Sequence, residues 1–127
     1  MSIAYVDTSC LVAIAFGERG ATALARQLAA FDELVTSDLL EAELRSAFVR
    51  ERIAEVPDAL SSLTWVLPDR PLGAEIGRVL DAGYVRGAVC WHLATALYLA
   101  PDSAELVFLT LDKRQRDVAH RLGFSIR

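Results

Sequence analysis

The chain has 127 residues, 54% of them hydrophobic and 24% charged, with a formal net charge of −4. That length and apolar content predict one folded domain over residues 1–127 and exclude a disordered chain. The acidic balance argues against a broad electrostatic grip on nucleic acid and suits a site that gathers carboxylates around a divalent cation. No apolar run approaches a membrane span and no basic, cleavable leader opens the chain, so the expected setting is cytoplasmic. Cys10 and Cys90 each sit in an apolar helical pattern and read as reduced, buried thiols.

Ile3-Ala4-Tyr5-Val6 reads as a buried parallel strand that runs straight into Asp7. Thr8 or Ser9 is the expected N-cap of the apolar helix that follows, with Leu11, Val12, Ile14 and Phe16. A helix start favours a nearby anion, so Asp7 is expected to stay ionised while partly withdrawn from water. After the break at 17–20, Ala21, Leu24, Ala25, Leu28 and Ala29 mark a second helix, and Leu34-Val35-Thr36 a short strand. Ser37 or Asp38 caps a third helix that runs to about Arg52.

In that helix one acid stands out. At 100° per residue, with Leu40 at zero, Leu44 falls at about 40°, Phe48 at about 80° and Ala47 at about −20°. Glu43 lands at about −60°, inside the apolar arc. A carboxylate there is costly unless it is paired, metal-bound or reaching a rim.

Further on, Pro57 starts a short helix, and Trp65-Val66-Leu67-Pro68 reads as an extended edge segment. Leu72, Ile76, Val79 and Leu80 mark a helix ending near Gly83. Residues 87–100 are apolar on nearly every side, the signature of a helix buried against sheet and neighbours. Leu106-Val107-Phe108-Leu109 is another buried strand, followed by Thr110-Leu111-Asp112 and a helix that stops at Gly123. Phe124-Ser125-Ile126 makes a last strand. The alternation predicts a three-layer α/β/α sandwich with a central, mostly parallel sheet.

Asp112 repeats the logic of Asp7: an apolar strand before it, a helix after it. If both strands are central, the two acids meet at one crevice, and Glu43 enters from the edge of its helix. Three carboxylates without a Cys/His ligand pattern describe an oxygen site for Mg²⁺, with Mn²⁺ as a possible substitute, and such ions serve phosphoryl chemistry. In such a site Thr8, Ser9 and Thr110 would hydrogen-bond the ligand carboxylates or their waters.

Taken in order, Val6-Asp7-Thr8-Ser9, Leu40-Glu41-Ala42-Glu43-Leu44, Arg86-Gly87-Ala88 leading to His92-Leu93-Ala94-Thr95-Ala96, and Thr110-Leu111-Asp112 with Gly123 beyond resemble a PIN domain. The closest flavour is the VapC toxin of type II toxin–antitoxin pairs. That resemblance implies a Mg²⁺-dependent endoribonuclease, a homodimer, and a VapB-like antitoxin that occupies the active-site groove. Carried onto this chain, it makes Asp7, Glu43 and Asp112 the catalytic, metal-binding acids. The family's remaining acid opens the segment aspartate-alanine-leucine-histidine-leucine-alanine, and here that place is Val89. His92 and Asp117 are the auxiliary candidates. His92 reads mainly as structural, because imidazole is a poor Mg²⁺ ligand, and Asp117 as an exposed helical acid. Arg45, Arg50, Arg52 and Arg86 are available for phosphates, and solvated helix faces explain them equally well.

The competing reading is a PIN-fold binding module that has lost efficient cleavage with the acid at Val89, yet still dimerises and holds an antitoxin. Two other enzymes fail on the residues. A haloacid-dehalogenase-like phosphatase needs a second acid where Ser9 stands, and a response-regulator receiver needs an acidic pair near the first strand.

Overall fold

A computed structural model describes residues 1–54 and 58–127. In chain order the elements are β1 (Ile3–Val6), α1 (Thr8–Ala15), α2 (Ala21–Ala29), β2 (Glu33–Ser37), α3 (Leu39–Arg50), α4 (Asp58–Ser61), β3 (Leu63–Val66), α5 (Gly73–Ala82), α6 (Gly87–Leu99), a 3₁₀ turn (Ser103–Glu105), β4 (Val107–Leu109), α7 (Lys113–Arg121) and β5 (Ser125–Ile126). Pro57, expected to open a helix, lies outside the described residues.

The five strands pair in the order β3-β2-β1-β4-β5, every pair parallel. Parallel neighbours need crossover connections, and the helices that supply them cover both faces of the sheet. Ala4 and Val6 pack with Leu11, Leu40, Leu44 and Phe48 from α1 and α3. Tyr5, one residue out of phase, points to the other face and packs with α5, α6 and α7. There its ring stacks on Phe108 at 5.0 Å between centroids. The α/β/α sandwich is therefore present, with a sheet that is wholly parallel.

The chain lays down β1, β2 and β3 in one direction, then crosses back through α5 and α6 to place β4 on the other side of β1. Strand order reverses between β1 and β4. In open α/β sheets, ligands bind beyond the carboxyl ends of the strands at such a point.

Two local expectations change. Asp7 itself, not Thr8 or Ser9, is the N-cap of α1: its backbone is extended (φ −91°, ψ 174°) and its carboxylate accepts the Cys10 N–H. The strand enters the helix without a loop, so the acid is already in the cap position. The edge strand begins at Leu63, two residues earlier than expected, and stops at Val66. Among the described residues its partner is β2, whose last paired residue is Ser37, and Leu67, just beyond, is 66% exposed. Gly123 does stop α7, at φ 95°, and a Cβ there would sit 2.7 Å from Ser103 Oγ. That hydroxyl donates to the Leu122 carbonyl at 2.6 Å. Cys10 and Cys90 are buried free thiols. Among the described residues no helix is long and apolar enough to cross a membrane.

Candidate active site

Asp7 sits at the carboxyl end of the central strand and is 3% exposed. Three donors converge on its carboxylate: Ser9 Oγ on Oδ1 at 2.6 Å, Cys10 N on Oδ1 at 3.4 Å, and Thr110 Oγ1 on Oδ2 at 2.5 Å. Burial pushes the Asp7 carboxyl above the ordinary carboxylate range, and the Ser9 and Thr110 hydroxyls only partly offset that loss of hydration.

Asp112 belongs to the adjacent strand end and is exposed. It caps α7, taking the Gln115 N–H on Oδ1 at 3.0 Å, and gives its own N–H to Thr110 Oγ1 at 3.0 Å. Thr110 is thus a single hydroxyl between the two acids. Ser9 ties the same pair of loops, since its Oγ accepts the Leu111 N–H at 3.0 Å.

Glu43 reaches the site from α3. Its Oε1 accepts Thr8 Oγ1 at 2.8 Å and lies 2.8 Å from His92 Nε2. The side chain keeps 34% of its surface, so it is a rim residue rather than the core acid that its wheel position suggests. The His92 hydrogen bond, and after it the Thr8 hydroxyl, hold Glu43 below the usual carboxylate value. His92 is 3% exposed, and its Nδ1 lies 2.7 Å from the Tyr5 hydroxyl.

The three predicted acids and the three predicted hydroxyls therefore form two hydrogen-bonded groups that adjoin at the Asp7-Thr8 step of the chain, Asp7, Ser9, Thr110 and Asp112 in one and Glu43 and Thr8 in the other, but not a closed ligand cage. Among the described residues no three or more His, Cys, Asp or Glu side chains surround a common point. The reasons are local. Asp7 is drawn into its cap, Glu43 is held by His92, and Asp112 turns to cap α7. Val89, half-buried on α6, lines a hollow of about 380 Å³ together with Val85, Arg86, Asp112 and Arg114, so an apolar group shares that hollow with Asp112.

The donor chemistry still fits a hard cation. Glu43 Oε2 and Asp112 Oδ2 carry no hydrogen bond among the described residues, and every candidate ligand atom is oxygen. Mg²⁺ commonly keeps several waters and takes one or two carboxylates. Such a set suits an ion held largely through its water shell.

Other candidates fall outside this neighbourhood. Asp117 is exposed beside Tyr84, Lys113 and Arg121, away from Asp7. Arg45 and Arg50 pair with Glu41 and Glu51 on the outer surface. Of the arginines singled out, Arg86 alone lines the hollow, joined by Arg114.

Two residues escaped notice in the sequence. Tyr5 looks like one more strand aromatic. Gln115 is 1% exposed, and its Oε1 stands 3.2 Å from Thr110 Oγ1, where a helix residue would be expected to face water. Its spacing three positions after a capping Asp was the available signal.

The PIN domain family profile matches residues 4–121, nearly the whole chain. No curated protein matches it.

Proposed function

The chain belongs to the PIN domain family, and from that premise we propose that it is a Mg²⁺-dependent endoribonuclease of the VapC toxin type, neutralised by a cognate VapB-like antitoxin. PIN domains are generally metal-dependent nucleases. The observation that supports this reading most directly is the gathering of Asp7 and Asp112 on Thr110, with Glu43 held on Thr8, the residue next to Asp7, beside the point where strand order reverses.

In this reading Asp7, Glu43 and Asp112 hold the cation, directly or through its waters. The bound ion supplies charge neutralisation at the phosphate and a more acidic water. Glu43, kept ionised by His92 and Thr8, accepts hydrogen bonds at the rim of the site. Asp7 is an anion withdrawn from water, and a neighbouring positive charge restores what burial costs it. Arg86 and Arg114 offer phosphate contacts from the wall of the hollow. A homodimer and an antitoxin with an amphipathic helix and a basic side chain aimed at the acids complete the proposal.

Val89 favours a second reading, a PIN-fold binding module with impaired cleavage. One assay separates the two. Purified protein free of antitoxin is incubated with structured RNA in Mg²⁺, Mn²⁺ or EDTA. Metal-dependent cleavage that Asp7→Asn abolishes, while the variant melts cooperatively, supports the enzyme. Absence of cleavage in both metals supports the binding module.

A further inference from the structure

A line of buried polar atoms runs from the sheet to Glu43. The backbone N–H of Ser37 donates to the Tyr5 hydroxyl at 3.2 Å, that hydroxyl lies 2.7 Å from His92 Nδ1, and His92 Nε2 lies 2.8 Å from Glu43 Oε1. Tyr5 is fully buried and His92 is 3% exposed, so neither has water as an alternative partner. Their rings also meet edge to face, 5.8 Å between centroids at 77°.

The proton positions follow from the acceptors. An ionised Glu43 can only accept, so the hydrogen between it and His92 sits on Nε2. In the neutral ring Nδ1 is then an acceptor, and the Tyr5 O–H is the donor 2.7 Å away. Thr36, the other side chain against the phenol, gives its own proton to the Val6 carbonyl at 2.7 Å. Desolvation pushes the Tyr5 phenol far above its ordinary value, consistent with a hydroxyl that stays protonated and donates.

We infer that Tyr5 and His92 are a positioning pair: the phenol fixes the imidazole in its Nε2–H form, and the imidazole, held at both nitrogens, fixes the Glu43 carboxylate in place. The chemistry is that of a ligand carboxylate oriented by a partner behind it, with the polarity reversed from the usual histidine ligand backed by a carboxylate. Thr8 adds the second hold on Glu43. The strand that carries Asp7 thereby also sets the aim of Glu43, through the residue two positions before Asp7.

The kinetic part of the test rests on the nuclease reading, whereas the tautomer part does not. ¹⁵N spectra of the metal-free protein at pH 8 should show His92 protonated at Nε2 and bare at Nδ1. Any other pattern, including an averaged ring, overturns the inference. Tyr5→Phe leaves the proton on Nε2 against Glu43 and should shift the Nδ1 resonance as that nitrogen loses its donor. Mn²⁺ binding, followed by the signal of the free ion, should weaken by about ten- to a hundredfold in Tyr5→Phe and in His92→Leu. His92→Gln, which keeps an N–H near the place of Nε2, should recover most of the loss. In RNA cleavage the same variants should lower kcat and leave KM within about twofold. Wild-type affinity and kcat in both Tyr5→Phe and His92→Leu would overturn the pair. A wild-type protein that neither binds Mn²⁺ nor cleaves RNA would refute the nuclease reading alone, and the tautomer would still decide the positioning.

Discussion

Asp7 follows β1 with no residue between strand and cap, whereas Asp112 stands three positions beyond Leu109, the last residue of β4. Both carboxylates cap a helix by accepting the N–H three residues on, from Cys10 in one case and Gln115 in the other. Both touch Thr110. The difference is depth. Asp112 lies two positions farther past the strand end, across a bend at Leu111. Asp7 is left 3% exposed and Asp112 faces solvent. The same local device thus yields a desolvated anion that wants a cation, and a hydrated one that does not need it.

That contrast is broken most directly by paired substitutions. Asn caps helices about as well as Asp, so Asp7→Asn should stay folded and lose on the order of a thousandfold in metal-dependent cleavage, the rate equivalent of several kcal/mol of charge stabilisation. Asp112→Asn should lose about ten- to a hundredfold under single-turnover conditions. Equal losses would show that depth is irrelevant. Val89→Asp should raise cleavage and Mn²⁺ affinity by about tenfold, equivalent to ~1.4 kcal/mol, because it puts a carboxylate into the hollow that Asp112 lines. An unchanged rate would mean that the acid missing there is not limiting.

Stability should sharpen the comparison in the metal-free protein. The folded pKa of Asp7 is raised, so the native state holds its proton more tightly than the unfolded chain. The resulting stabilisation is complete below the ordinary Asp value and is lost as pH rises through the raised one. Asp7→Asn should therefore melt higher than wild type at pH 7–8 in EDTA, and the gain should vanish in acid. Glu43 runs the other way. Its folded pKa is depressed, so its contribution is present above the ordinary Glu value and fades as pH falls through the lowered one. Glu43→Gln should cost stability at neutral pH and little in acid. Melting curves from pH 3 to 8 test both signs.

The elements that the sequence made legible are those where one local rule decides. β1 and α6 declare themselves through unbroken apolar runs and α7 through its capping acid, and the three candidate acids could be named. The cage could not be judged, because whether carboxylates converge depends on hydrogen bonds made across the fold. Glu43 has the angular position of a core acid, yet His92, forty-nine residues away, holds it at the rim. Tyr5 and Gln115 were invisible for the same reason: each owes its role to a partner that periodicity does not specify. The edge strand was misplaced because its end is set by the length of β2, not by its own residues.

The smallest expected effect isolates the cap from the charge at the solvent-facing end. Asp112→Ala removes the acceptor for the Gln115 N–H and the negative charge at the start of α7 together. It should cost about 1 kcal/mol, which at this size lowers Tm by roughly 4 °C. Asp112→Asn keeps the acceptor and loses only the charge, and should fall by a few tenths of a kcal/mol. If the two variants melt together, the charge at the helix start, rather than the hydrogen bond, is what Asp112 contributes. The local equivalence of Asp112 and Asp7 as caps would then fail, since Asp7 is buried with its acceptor role filled three times over.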